Sequence, residues 1–292
     1  MDERDALSLL QGVLDPVGDD AAVIDGQVVT TDMLHETTDF PDGTDRYTAG
    51  WRAVGASLSD VAAMGAAATA AVAVYAAPSF DREELLAFVR GASDVCERVG
   101  ARYVGGDLDA HSEFTTVSTA LGRTDDPVYR RGASPGEVLV VTGSLGRSAA
   151  ALERFDRGEI ERANELFRFT PRVDAGRVLA GHASAMMDSS DGLVRSVHQL
   201  ADASEVGFAL DSAAIPVADS LRAVVPDEAA ARETALTFGE DFELVAAVPS
   251  ATLDAAAEAC PVPLNVVGDV VESDSGRSLD GEPLADRGYT HG

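Results

Sequence analysis

GDDAAVIDGQVVTTDML, residues Gly18 to Leu34, sets two short apolar runs on either side of Asp25-Gly26. That dipeptide between apolar runs is a two-residue hairpin signal, because both central positions of the tight turn need positive φ. Counting outward from the turn predicts Ile24 opposite Gln27 and Val23 opposite Val28, then Asp20 opposite Thr31 and Asp19 opposite Asp32. Carboxylates facing each other at a cross-strand separation of about 5 Å repel, so the open end calls for a cation or a partly protonated acid. The bland alternative is a solvated turn in an acid-rich chain.

Beyond the hairpin, TAAVAVYAA, ARYVGG and FTTVSTALG read as further strands, with helices over Ala49 to Met64 and Arg82 to Val99. The breaker-rich RRGASPG, Arg130 to Gly136, then separates two pattern blocks. After it EVLVVTG and ELVAAV read as strands, and Ser148 to Phe155 and Leu193 to Ala201 as helical. This order predicts an α+β chain of two domains, residues 1–134 and 135–292.

With 292 residues, 46% of them hydrophobic, the chain can bury one or two substantial cores. It carries 50 acidic against 22 basic residues, net −28, and every basic residue is Arg. Such a charge disfavours nucleic acid and anionic lipid as partners. It is tolerable where salt screens it, the Debye length being about 3 Å near 1 M, which implies a salt-rich, halophilic cytoplasm. Cys96 and Cys260 lack a spacing that suggests a disulfide framework or a zinc site. The acidic start MDERDALSLL does not resemble a secretory signal, and the uncharged run Val61 to Phe80 is Ala-rich and broken by Gly65 and Pro78, unlike a membrane span. A cytoplasmic location is expected.

Further aspartates fall at element ends beside glycines. Asp60 lies near the end of a helix whose apolar positions are Trp51, Val54, Leu58 and Val61 and whose stop is Gly65. A carboxylate there meets the negative end of the helix dipole. Asp107 ends a strand in Gly105-Gly106-Asp107, a weak motif alone. In MDSSDGL, Ser190 or Asp191 would serve as a helix cap, which leaves Asp188 unexplained. GEDFEL, Gly239 to Leu244, places acids at a strand entrance, where a solvated turn is an equal reading. Clustered aspartates without His or Cys suit hard ions such as Mg²⁺, which binds a few carboxylates together with substrate phosphates. Phosphoryl transfer fits, since it needs positioning and charge neutralisation rather than a protein nucleophile. No G-x-S-x-G elbow is present, and VVTGSLGRS lacks the Lys of a Walker loop, so it reads as a tight strand-to-helix turn and Arg130 is the better cationic candidate.

Taken in order, GDDAAV, TTDML, LSDVAAMGA, GGD, RRGASPGEVLVVTGSLGRSAAAL, DSSDGL and GEDFEL resemble the thiamine-monophosphate kinase family over nearly the whole chain. That family lies in the aminoimidazole ribonucleotide synthetase-like superfamily. The resemblance implies a homodimer in which an N-terminal sheet-forming domain builds the interface, followed by a C-terminal α/β domain. It implies ATP-dependent phosphorylation of thiamine monophosphate to thiamine diphosphate with several Mg²⁺ ions, and K⁺ as a further candidate ion. Carried over motif by motif, the metal roles fall on Asp20, Thr30, Thr31, Asp32, Asp60, Asp107, Asp188 and Asp191. ATP contacts fall on Gly106, Asp107, Arg130 and Ser190, with Arg130 also offsetting charge, and thiamine-phosphate contacts fall on Asp39, Asp241 and Tyr289. The family often carries His where this chain has Asp39, and an aromatic residue shortly after Tyr289 where this sequence reads Thr290-His291-Gly292.

Four rivals compete with this reading, one of them the hydrogenase-maturation relative, which would end in Cys where this sequence reads Gly292. Selenophosphate synthetase would need a reactive Cys near the N-terminus, and the first Cys here is Cys96. A phosphoribosylformylglycinamidine cyclo-ligase-type enzyme shares the ATP-binding plan but matches GDDAAV, LSDVAAMGA and DSSDGL less well. A non-catalytic acidic binder of metal or nucleotide would not need its acids at glycine-flanked element ends.

Overall fold

A computed structural model describes residues 18–288, with Leu9 and Val13 before them. The Asp25-Gly26 hairpin forms between β1 (Ala22–Ile24) and β2 (Gln27–His35) in the expected register, Ile24 opposite Gln27 and Val23 opposite Val28. Pairing stops at Ala22–Val29, so Asp19 and Asp20 do not continue the ladder to Thr31 and Asp32. The chain bends away there, and Asp20 is free to turn toward other elements.

A one-turn helix α1 (Glu36–Asp39) leads to α2 (Arg46–Ala63), whose N-terminus is capped by Asp45 accepting the Thr48 N–H at 2.6 Å. The helix begins three residues earlier than the apolar spacing indicates because this cap lies outside the apolar pattern. It stops where Gly65 takes φ +67°. Then come β3 (Ala67–Ala77), α3 (Arg82–Arg98), β4 (Arg102–Ala110) and β5 (Thr115–Arg123). These strands make a sheet in the order β1-β2-β5-β3-β4, antiparallel except for β3–β4, which the crossover helix α3 joins in parallel.

The second sheet has the order β12-β11-β8-β10-β6-β9-β7. Its strands are β6 (Glu137–Thr142), β7 (Ala185–Asp188), β8 (Gly207–Leu210), β9 (Leu244–Pro249), β10 (Leu264–Val271), β11 (Arg277–Leu279) and β12 (Glu282–Pro283). Between them lie α4 (Arg147–Asp156), α5 (Ile160–Phe167), α6 (Val173–Leu179), α7 (Leu193–Ser204), α8 (Asp219–Arg222), α9 (Glu228–Thr237) and α10 (Leu253–Ala259). Buried on both faces, β6 and β9 read as unbroken apolar runs: Val140 and Ala246 enter one core, Leu139 and Val245 the other.

Helix α2 sits between the two sheets. It touches β2, β3 and β5 on one side and α6 and β7 on the other, so one core runs from Val54 and Leu58 through Phe88 to Met186 and Leu244. Small residues permit this approach: a Cβ on Gly50 would lie 2.2 Å from the Phe88 carbonyl oxygen, and one on Gly176 would lie 2.1 Å from that of Ala62. The other face of the first sheet is open and partly apolar, with Met33 54% and Val104 55% exposed. No helix among the described residues is long and apolar enough to cross a membrane.

Candidate active site

Three carboxylates from three elements converge. Asp20 from the hairpin's open end, Asp60 from the last turn of α2 and Asp188 from the end of β7 offer oxygens that all lie within 4.8 Å of one another. Burial pushes Asp60 well above the usual carboxylate range, with Asp32, Asp188 and Asp20 adding to it. Asp188 is pushed up to about 8, again mainly by burial, and its Oδ2 is buried without a hydrogen-bond partner. Burial also raises Asp32, against the Ser57 hydroxyl that donates to it at 2.6 Å. Uncompensated buried acids are costly, and an orphaned buried carboxylate oxygen is what a hard oxygen-seeking cation satisfies. The donor set therefore fits Mg²⁺.

The surroundings are placed by strand alternation. Thr30 and Asp32 share the inner face of β2, and Thr30 Oγ donates to Asp60 at 2.5 Å. Thr31, one residue between, points to the outer face and donates to the Ser118 carbonyl oxygen at 2.8 Å. Arg130 reaches Asp20 with Nε at 3.2 Å and Nη2 at 2.9 Å, while its backbone N–H donates to Asp19 at 2.7 Å. Asp191 is half-buried in the loop after Asp188 and is not one of the converging three. The N-cap position of α7 falls to Gly192.

Gly106 and Asp107 lie elsewhere. They sit on the edge strand β4, and the row Met33, Val117, Val74, Asp107 places Asp107 three strands from β2 on the outer face. At about 4.8 Å per strand, some 14 Å separates Asp107 from β2 within one chain. Gly106 has a local reason to be glycine, since a Cβ there would stand 1.7 Å from the Ala73 carbonyl oxygen.

A cavity of about 1140 Å³ opens at the loop after Asp188. Glu36, Asp39, Asp42, Asp156 and Glu240 give it an acidic wall, Phe40, Phe167 and Phe238 supply apolar surface, and Ser190 and Arg287 also line it. Asp188 and Ser190 thus join cluster and cavity through one loop. Asp39 accepts the His35 N–H at 2.7 Å. Asp241 does not line this cavity: it is buried, accepts the backbone N–H groups of Gly146 and Ser148, and is pushed up to about 7 mainly by burial. The VVTGSLGRS turn is thus a helix N-terminus that holds the chain's own Asp241. Glu240, its neighbour, is the acid on the wall, at φ +70°. Sequence reasoning missed Glu240, Ser57 and Arg52; only the acid-rich GEDFEL segment signalled the first. Tyr289 lies outside the described residues.

Residues 18–124 match the family model for the N-terminal domain of AIR synthase related proteins, and residues 134–280 match that for the C-terminal domain. A thiamine-monophosphate kinase of Halobacterium salinarum is 62% identical over 100% of both chains. Another, from Methanospirillum hungatei, is 40% identical over 100% of this chain and 99% of its own. The solved structure of AaThiL complexed with AMPPCP and TMP superposes with a TM-score of 0.90 at 26% identity, covering 100% of this chain and 97% of that one. With this two-sheet architecture and the convergence of Asp20, Asp60 and Asp188, the chain belongs to the thiamine-monophosphate kinase family.

Proposed function

We propose that this protein transfers the γ-phosphoryl group of ATP to the phosphate of thiamine monophosphate, giving thiamine diphosphate and ADP, in the cytoplasm of a salt-rich cell. The carrying observation is the trio Asp20, Asp60 and Asp188, the first two half-buried and the last buried, with Arg130 on Asp20 and with the loop after Asp188 contributing Ser190 to an acid-walled cavity. A phosphate oxygen of thiamine monophosphate attacks the γ-phosphorus while the bridging oxygen leaves with ADP, so the acceptor is its own nucleophile and no protein base is needed. Asp20, Asp60 and Asp188, with Thr30, Asp32 and Asp191 as further candidates, would hold Mg²⁺, which supplies neutralisation of phosphate charge when bound. Arg130 adds positive charge at the same place, and Ser190 stands where phosphates and cavity meet. The acidic wall, Asp39 and Glu240 included, suits a cationic thiazolium and an aminopyrimidine. We assign Asp241 to holding the turn before α4 and give its substrate role to Glu240.

We further assign Gly106, Asp107 and the outward-facing Thr31 to a site shared between two copies that pack their first sheets through the open face around Met33 and Val104. The strand register supports this, because Asp107 is too far from β2 to serve the same chain's cluster. A division at 134/135 agrees with sheets confined to residues 22–123 and 137–283. Incubation with ATP, Mg²⁺ and thiamine monophosphate in molar KCl, followed by phosphorus NMR, tests the reading. Thiamine diphosphate and ADP are expected from the parent protein and not from Asp188→Ala. Absence of product from folded protein would refute it.

A further inference from the structure

Arg52 is the most deeply buried cation among the described residues, 2% exposed. Burying a guanidinium is costly unless its donors are engaged, and here the engagement is specific. Its Cζ lies 3.6 Å from the centroid of the Phe167 ring, Nη1 donates to the Phe167 carbonyl oxygen at 2.6 Å, and Nη2 pairs with the Glu240 carboxylate. Ser148 Oγ lies 3.5 Å from Nη1. Phe167 and Glu240 both line the cavity. Thus one side chain of α2 holds two wall residues that belong to the other half of the molecule.

Glu240 needs such a partner. Its backbone is left-handed, a conformation that costs a non-glycine residue about 1 kcal/mol or more, and its N–H is tied to the Ser190 carbonyl oxygen at 2.6 Å. Its side chain remains 42% exposed, so the carboxylate is restrained at one oxygen yet open to the cavity. Phe242 stacks on Phe169 at 4.2 Å just beyond it. The neighbouring acids are held separately: Asp241 by the N-terminus of α4, and Glu243 by Thr142 at 2.6 Å and Arg172 at 2.7 Å. Each acid of the loop therefore has its own anchor, and Glu240 owes its orientation to Arg52. Asp60 lies eight residues further along the same helix, about 12 Å by helical rise, so α2 supports both ends of the site.

We infer that Arg52 is a positioning residue for substrate selectivity: it aims the Glu240 carboxylate and sets the Phe167 ring so that the cavity recognises the amino-bearing ring of thiamine monophosphate. This rests on reading the cavity as the pocket for that ring. The test compares steady-state kinetics of the full-length parent, Arg52→Met, Arg52→Lys, Glu240→Gln and the Arg52→Met/Glu240→Gln double variant. Two acceptors are used: thiamine monophosphate, and its analogue with oxygen in place of the pyrimidine amino group. Arg52→Met is expected to raise KM for thiamine monophosphate roughly tenfold to a hundredfold while KM for ATP stays put, and to erase the preference for the amino-bearing acceptor. It should add nothing in the Glu240→Gln background, and Arg52→Lys should recover part of the preference. Equal changes in both KM values, an intact preference, or additive effects would overturn the inference. Should Arg52→Met not fold, an unaltered preference in Arg52→Lys overturns it. A parent that does not phosphorylate thiamine monophosphate refutes the functional reading itself, whereas an active parent with indifferent variants refutes Arg52 alone.

Discussion

Asp60 sits at the C-terminal end of α2, against the negative end of the dipole, within reach of Asp20 and Asp188. Folding brings these acids together at a cost that a bound cation would relieve. Asp60→Asn keeps the acceptor for Thr30 and removes an ionisable group whose burial among other acids is costly, so in EDTA it should stabilise the protein by on the order of 1–3 kcal/mol while abolishing turnover. Thermal melts with and without Mg²⁺, read beside the kinase assay, check both halves. A pH prediction follows from the direction of the shifts. Asp188 at about 8 and Asp241 at about 7 hold their protons more tightly folded than unfolded, where the value is 3.8. The folded state therefore binds more protons across the interval from about 4 to about 8, and stability falls as pH rises through it. Urea midpoints of EDTA-treated protein in constant KCl should decline across that range, and Mg²⁺ should flatten the decline. A midpoint that rises instead would contradict the burial of these acids.

At the scale of elements, α2 and α3 cross at their glycines. A Cβ on Gly91 would lie 1.9 Å from the Tyr47 carbonyl oxygen, and no flexible side chain stands between to yield. Gly91→Ala would gain up to about 1 kcal/mol of helix propensity and lose about 1–3 kcal/mol or more through forced separation of the helices. The expected net effect is a lowered melting temperature, and because α2 carries both Asp60 and Arg52, a loss of activity in the protein that remains folded. Gly181→Ala, where the nearest neighbour is the Val178 carbonyl oxygen at an ordinary 3.6 Å, is the control expected to leave both unchanged.

The whole molecule carries −28 charges on 292 residues and no Lys. Self-repulsion of that size is long-ranged in dilute buffer and screened in concentrated salt, so the urea midpoint should climb steadily as KCl is raised toward molar concentration. A flat salt response would argue that the acids are paired rather than screened. The assembly has its own test. If Asp107 serves the partner's carboxylate cluster, Asp60→Ala and Asp107→Ala are each inactive alone. A heterodimer of the two then regains one intact site of its two, because both lesions fall in the other. If Asp107 served its own chain, mixing would restore nothing.

Much of this was legible in order along the chain. The Asp25-Gly26 turn, the start of its register, the stop at Gly65, and the strands of both sheets that carry unbroken apolar runs follow from local preferences, which act over a few residues. The acids at glycine-flanked element ends marked Asp20, Asp60 and Asp188 because their spacing had no local explanation. Helix α7 was visible, but its N-cap went to Gly192, since the DSSD loop is held by the loop beneath it. Local sequence carried no signal that Asp241 would turn inward and Glu240 outward, that Arg52 would be buried against Phe167, or that Asp107 would stand three strands away from β2. The first two outcomes depend on residues 90 to 190 positions apart meeting and the third on the order of strands in the sheet, and these are decided by packing and by the need to satisfy buried charge, which exist only once the chain has closed on itself.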